Sequence, residues 1–233
     1  MRADPDVLSF LSRPRAWEEA VQLLRSKILS EDLPPGTRLV EAAYAKRLGI
    51  SQGTFREALA RLEHEGLVIS VPRRGTYVAA LPVDTVNQLY ELRELVEPLA
   101  VRLAMKNLKK GDIDYLEHQI GRLASRVTSE RVDADMAFHR RLYELTAFPP
   151  LQNLWPQIEI LTRKILSMAR RLGSVENTQH NHQSIMRALV KGDEDALERA
   201  IRAHMQQTTA LFEGRIQEGQ IPKVTVRRPR SAG

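Results

Sequence analysis

Three of the six histidines in this chain fall where they could share a ligand with an acid. Asp135 and His139 stand at i and i+4, so a helix puts both on one face. His182 precedes Ile185 and Leu189, and His204 follows Leu197 and Ile201, so both sit among apolar positions of later helical segments. Brought together, three imidazoles and one carboxylate make a nitrogen and oxygen site suited to Zn, Ni, Mn or Fe, with open positions left on an octahedral ion. Taken alone, an i, i+4 Asp/His pair reads more simply as a helix-surface pair. His64 lies on another helix, and His118 and His180 read as surface residues. The chain has no cysteine, which excludes disulfides and thiolate ligands.

A second set of residues has the chemistry to read nucleic acid. Pro35 to Val78 reads as two short helices around a tight turn, followed by a β-hairpin with two arginines at its tip. A helix-turn-helix places the first residues of its second helix against base edges in the major groove. Here these are Gln52, Gly53, Thr54 and Arg56. Gln pairs in bidentate fashion with adenine, and Arg pairs with guanine or a phosphate. Gly53 lets the backbone N–H approach a phosphate at the helix N-terminus. Arg38 is expected to reach the DNA backbone, and Arg73 and Arg74 suit a narrow minor groove. The plainer reading is a small α/β domain with solvated charges.

Arg93 is the third candidate. It interrupts the stripe Leu89, Val96, Ala100 and Leu103, and a buried guanidinium needs a partner. It reads either as a bidentate clamp for a carboxylate ligand or as a structural partner of Glu97 at i, i+4.

The elements that must position these residues are visible in the pattern. Apolar positions Trp17, Val21, Leu24 and Ile28 predict a helix over 15–31. Helices follow at 41–48, with Ala42, Ala45 and Leu48 inward, and at 52–65, with Phe55, Leu59 and Leu62 inward. Gly49 closes the first of these, and Ser51 caps the second. Leu67–Val71 and Thr76–Ala80 pair as strands around Pro72-Arg73-Arg74-Gly75. Beyond Leu81-Pro82 the pattern is wholly helical, with helices near 84–107, 112–128, 132–147, 150–171, 176–191 and 193–216. They are separated by Lys110-Gly111-Asp112, Pro149-Pro150, Gly173-Ser174 and Gly192-Asp193. The expected fold is mainly α. A winged helix-turn-helix over 1–82 precedes an antiparallel helical bundle over 83–217. A basic tail over 218–233 is expected to be disordered.

Composition agrees with this division. The net charge is +6 over 233 residues: +2 in 1–82, 0 in 83–222 and +4 in 223–233. The basic excess therefore sits at the two ends, although net charge alone is a weak sign of DNA binding. No apolar run approaches the length of a membrane span, and the first ten residues lack a signal-peptide core, so a cytoplasmic protein is expected.

The stretch 15–80 resembles the winged helix-turn-helix of the GntR family of bacterial transcription regulators. The resemblance is carried by Pro35-Gly36-Thr37-Arg38-Leu39-Val40-Glu41, Leu48-Gly49-Ile50-Ser51, Arg56-Glu57-Ala58-Leu59, Gly66-Leu67-Val68 and Arg74-Gly75. It implies that Arg38, Thr54, Arg56 and the wing at Arg74-Gly75 touch DNA. Many members have Ser-Arg-Thr-Pro where this chain has Ser51-Gln52-Gly53-Thr54, which implies a shifted or relaxed operator preference. Residues 84–216 resemble the FCD effector domain of the FadR branch, through Asp135-Met-Ala-Phe-His139, Asn181-His182-Gln-Ser-Ile185-Met-Arg-Ala188-Leu189 and Arg202-Ala-His204. In metal-binding members those positions imply four ligands: Asp135, His139, His182 and His204. Six helices rather than seven resemble the VanR-like subgroup, and Phe148-Pro149-Pro150 departs from a common Gly-Asn pair.

Together these readings imply a homodimeric, ligand-responsive repressor on a pseudo-palindromic operator, with a small carboxylate effector held by metal and Arg93. Two alternatives are a metal-dependent enzyme of small organic acids and a DNA-binding protein whose metal is purely structural. Against the enzyme, no Glu, Tyr or Lys is placed by motif as a general base.

Overall fold

The computed structural model describes residues 16–80, 82–170 and 178–217. The chain divides into two compact units between Ala80 and Leu81. The expected break at Gly173-Ser174 and the basic tail lie outside the described residues.

In the first unit, α1 (Ala16–Leu29) buries Ala20, Val21, Leu24 and Ile28. It packs against α3 (Gln52–His64), which buries Phe55, Ala58, Leu59 and Leu62. Arg25 on α1 donates through Nε and Nη2 to the two carboxylate oxygens of Glu65, at 3.0 and 2.6 Å. Between them, α2 (Glu41–Leu48) ends where Gly49 adopts φ 67°, a left-handed conformation that a side chain would strain. Ser51 then starts α3 by accepting the Thr54 N–H at 3.0 Å. Ala42 faces outward, contrary to the expectation above. Tyr44 takes the inward role and stacks on Phe55 with ring centroids 5.6 Å apart. An aromatic covers more of the Phe55 face than a methyl group can.

The wing is a three-stranded antiparallel sheet rather than a hairpin. β2 (Val68–Val71) and β3 (Gly75–Val78) pair as expected, and β1 (Arg38–Leu39) adds to the other edge of β3, with Arg38 opposite Tyr77. A two-residue strand is too short for alternation to reveal. Glu63 of α3 accepts the N–H and hydroxyl of Ser70 at 2.8 and 3.0 Å, tying β2 to the helix before it.

The second unit has six helices among the described residues: α4 (Val83–Met105), α5 (Lys110–Arg122), α6 (Thr128–Leu145), α7 (Pro149–Arg170), α8 (Thr178–Lys191) and α9 (Glu194–Gln217). α4 is central and touches α6, α7, α8 and α9. One part of the core gathers Tyr90, Met136, Trp155, Ile158 and Ile165. Another gathers Val101, Leu116, Phe138, Ile185 and Ile201. Pro98 lies inside α4 and has no N–H to bond the carbonyl of Glu94 four residues back. Arg202 of α9 donates to that carbonyl at 3.2 Å, so the two helices meet where the backbone is left unsatisfied.

α5 begins two residues before the expected position. Lys109 is its N-cap, and Asp112, read from the sequence as part of the break between helices, occupies the third helical position. Asp112 accepts the Lys109 N–H at 2.9 Å and the guanidinium of Arg141 on α6 at 2.5 and 3.0 Å. Those bonds from Arg141 lead the causes that hold the Asp112 carboxyl below its ordinary value of 3.8. Ionised Asp112 thus adds stability above that value and loses it as pH falls through the depressed one. Asp112→Ala is expected to cost about 1–2 kcal/mol at neutral pH. Urea unfolding checks this: the midpoint gap between the variant and the natural chain narrows as pH falls below 3.8 and closes below the depressed value.

Candidate functional site

The structure brings Asp135, His139, His182 and His204 together inside the bundle. α6 supplies the first two, one turn apart on its inner face, while α8 supplies His182 and α9 supplies His204. All four are buried, and one ligand atom from each lies within 4.8 Å of the others. His182 Nε2 is 2.9 Å from Asp135 Oδ1, and the Nε2 atoms of His139 and His204 face each other at 3.2 Å. The rings are held by packing: Phe138 meets His182 edge-on at 4.8 Å, and Trp155 stacks on His139 at 6.0 Å.

Glu97 of α4 lies behind His139. Its Oε2 lies 2.9 Å from His139 Nδ1, a charge contact without hydrogen-bond alignment, on the side of the ring away from the Nε2 that faces the cluster. The same Glu97 accepts Arg93 Nε through Oε1 at 2.5 Å. Arg93 and Glu97 are buried, at 2% and 1% exposure, and form a chain that runs Arg93, Glu97, His139. Burial alone would raise the Glu97 carboxyl, but Arg93 and His139 outweigh it and hold the group at about 2. Burial would lower Arg93, but Glu97 foremost raises it above its ordinary value. Asp135 follows the same pattern. Burial pushes it up, and His182, then His139 and His204, bring it below the usual carboxylate range. Burial, then His182 and His139, press His204 well below its ordinary value, so its imidazole is neutral.

These groups fit a cation. The Nε2 atoms of His139 and His204, 3.2 Å apart beside the Asp135 carboxylate, repel when both lone pairs point inward unless a proton or a metal lies between them. The donor set of three nitrogens and one oxygen suits a borderline divalent ion. Beside it, Arg93 Nη2, Tyr143 Oη, Thr162 Oγ1 and His204 Nδ1 are buried polar atoms without a hydrogen-bond partner. Tyr90 and Tyr143 are pushed up by burial, so their hydroxyls keep their protons.

Glu97 entered the sequence reading only as a possible partner of Arg93. That pair exists, but it uses Nε and leaves Nη2 unmatched. Its link to His139 depends on α4 lying against α6, which no local spacing reveals.

In the first unit, Gln52 and Gly53 are exposed on the first turn of α3. Thr54 is partly covered, its hydroxyl 2.9 Å from Ser51 Oγ. Arg56 is exposed but engaged: Nη2 and Nε donate to Glu41 at 2.8 and 3.2 Å, tying α3 to α2, and Glu41 raises its guanidinium above the ordinary value. Arg73, at φ 62°, and Arg74 are exposed at the wing tip. Gly75 has φ 107°, and a β-carbon there would come 3.3 Å from Arg38 Nε, so the wing glycine makes room for the arginine crossing it.

Among the described residues no helix is long and apolar enough to cross a membrane. Residues 17–78 match the bacterial regulatory proteins of the gntR family, and residues 88–207 match the FCD domain. The chain is similar to the HTH-type transcriptional repressor RspR of Escherichia coli K12, at 27% identity over 198 residues, covering 82% of this chain and 86% of that protein. It is 30% identical over 190 residues to an HTH-type transcriptional regulator from an unstable DNA locus of Streptomyces ambofaciens, covering 78% of this chain and 79% of the relative. Its fold resembles that of E. coli McbR/YncC, with a TM-score of 0.72, 22% identity and coverage of 87% and 99%. These domains and relatives belong to transcription regulators, not to enzymes, which removes the organic-acid enzyme considered above. The chain belongs to the gntR family of bacterial regulatory proteins and carries an FCD domain behind its DNA-binding helix-turn-helix.

Proposed function

We propose that this regulator is a cytoplasmic repressor that binds a pseudo-palindromic operator as a homodimer and answers to a small carboxylate held beside a divalent metal. The observation that carries this reading is the charge of the buried cluster. Leaving the imidazoles aside, Arg93, Glu97 and Asp135 sum to one negative charge. Isolated charge in an apolar interior is costly. A divalent cation at Asp135, His139, His182 and His204 turns the sum to one positive charge, and a monocarboxylate then brings it to zero. Arg93 Nη2 and the Tyr143 hydroxyl are donors on hand for such an anion. The metal would supply a positive centre for the carboxylate, with Glu97 behind His139.

At the DNA, Arg38, Gln52, Gly53, Thr54, Arg73, Arg74 and Gly75 are the proposed contacts. Arg56 would serve through its grip on Glu41 as well as toward phosphate. For the effector to act, it must bind the DNA-competent and DNA-incompetent states with different affinity. A purely structural metal is the second reading, favoured by the Arg93–Glu97 pair that already occupies one edge of the guanidinium.

Footprinting after operator selection tests the first half. Protection of a two-fold-symmetric site is expected, and Gln52→Arg is expected to change the preferred bases; identical preferences would sink the specificity claim. Adding small carboxylic acids tests the second half. Release of the operator by one of them is expected from metal-loaded protein and not from chelator-treated protein. A response unaffected by chelation would leave the metal purely structural. A third test addresses Glu97. Glu97→Gln is expected to weaken metal binding about 10–100-fold, as removal of a carboxylate behind a metal-bound histidine does. A competition titration with a chromophoric chelator measures this, and unchanged affinity would remove Glu97 from the site.

A further inference from the structure

The carbonyls in the middle of a helix accept N–H groups of their own chain, so they offer a neighbouring helix little to hold. α4 departs from this at Pro98, which leaves the Glu94 carbonyl without its helical donor. Arg202 of α9 takes that place, with Nη1 3.2 Å from the oxygen. The guanidinium is aimed there. Its Nε and Nη2 donate to Glu198 Oε1, one turn back on α9, at 3.0 and 2.9 Å, which leaves Nη1 to reach α4. The side chains of Arg202 and Glu198 are 41% and 47% exposed. Water competes for bonds so placed, and they add little to stability. What they add is direction.

Leu197, Ile201 and Met205 are buried and hold α9 to the core, but apolar burial is non-directional. Just past Pro98 the two helices part around a cavity of about 60 Å³, lined by Pro98, Val101, Arg102, Glu194 and Leu197 among others. A bond to a single carbonyl supplies what these lack, a fixed position of α9 along α4. That position matters because His204 stands two residues further along α9. A slip of one residue moves a helix about 1.5 Å along its axis. Bonds from a ligand to a metal ion hold to within about 0.2 Å. Such a slip would carry His204 Nε2, now 3.2 Å from that of His139, away from an ion shared by the two rings.

We propose that Arg202 is a positioning residue: by seating α9 on the open turn of α4, it sets His204 in the cation site. It acts through the helix and needs no contact with the ion. The inference rests on the cation site proposed above.

Competition titration with a chromophoric chelator gives the Zn²⁺ affinity of four chains: the natural one, Arg202→Met, His204→Ala and the double variant. Methionine keeps an unbranched stem to pack but donates nothing. Arg202→Met is expected to weaken Zn²⁺ binding about tenfold, as loss of a group that orients a ligand does. Its metal-free unfolding midpoint and far-ultraviolet circular dichroism are expected to stay close to those of the natural chain. Arg202→Lys, which keeps a donor, is expected to recover most of the loss. In the His204→Ala background, Arg202→Met is expected to cost less than about twofold, because a residue that acts through His204 has nothing left to act on. If Arg202→Met leaves the affinity of the natural chain unchanged, or costs as much with His204 absent, the positioning role is wrong and the cation site stands. If the natural chain takes up no Zn²⁺, or His204→Ala binds it as tightly, the cation site fails and the inference with it.

Discussion

Everything in the second unit turns on burying ionised and ionisable groups at the centre of a helical bundle. Arg93, Glu97 and Asp135 have almost no contact with water, and three imidazoles lie among them. Placing such groups in an apolar interior costs several kcal/mol per ion unless each finds a partner. The chain answers with a sequence of partners drawn from separate helices. Arg93 holds Glu97 within α4, Glu97 faces His139 on α6, and Asp135 meets His182 on α8. Each bond therefore ties two elements or fixes a side chain that does. The bundle and its polar centre are mutually dependent: the helices keep water out, and the ionic chain sets which faces meet.

The surrounding packing limits how that centre can rearrange. Trp155 stacks on His139 and donates through Nε1 to Glu159 at 2.7 Å, and Glu159 is also gripped by Arg140 and Arg163. A shift of the His139 ring would press on α7 through Trp155, and a shift of Arg93 would press on α4. Close-packed side chains transmit displacement rather than absorb it. α4 also exposes Leu92, Leu95 and Leu99, so one helix presents the buried charges inward and apolar side chains outward.

Much of this was legible in the sequence because its signals are local. Gly49 and Ser51 mark the turn between α2 and α3 by left-handed geometry and capping, and the wing turn announces itself by Pro72 and Gly75. The spacing of Asp135 and His139 puts them on one face of α6, and the likeness to a known family tied them to His182 and His204. What escaped depends on distant segments. The strand β1 exists only because β3 has a free edge beside it. Tyr44, half-buried, packs on Phe55 while Ala42 faces outward. Lys109 rather than Asp112 stands at the N-cap of α5, and Asp112, one turn in, accepts the Lys109 N–H and also reaches Arg141 on α6. Glu97 joins the cluster only once α4 rests on α6, and sequence spacing could pair it with Arg93 alone.

The claim that most of the rest depends on is that the buried cluster is a cation site. Calorimetric titration of chelator-treated protein with Zn²⁺, followed by thermal unfolding of the same samples, tests it most directly. A ligand that binds only the native state raises the unfolding temperature. The charge argument predicts uptake of one ion per chain and a clear rise in unfolding temperature, both lost in Asp135→Ala. No stoichiometric uptake, with an unfolding temperature that ignores the metal, would contradict it.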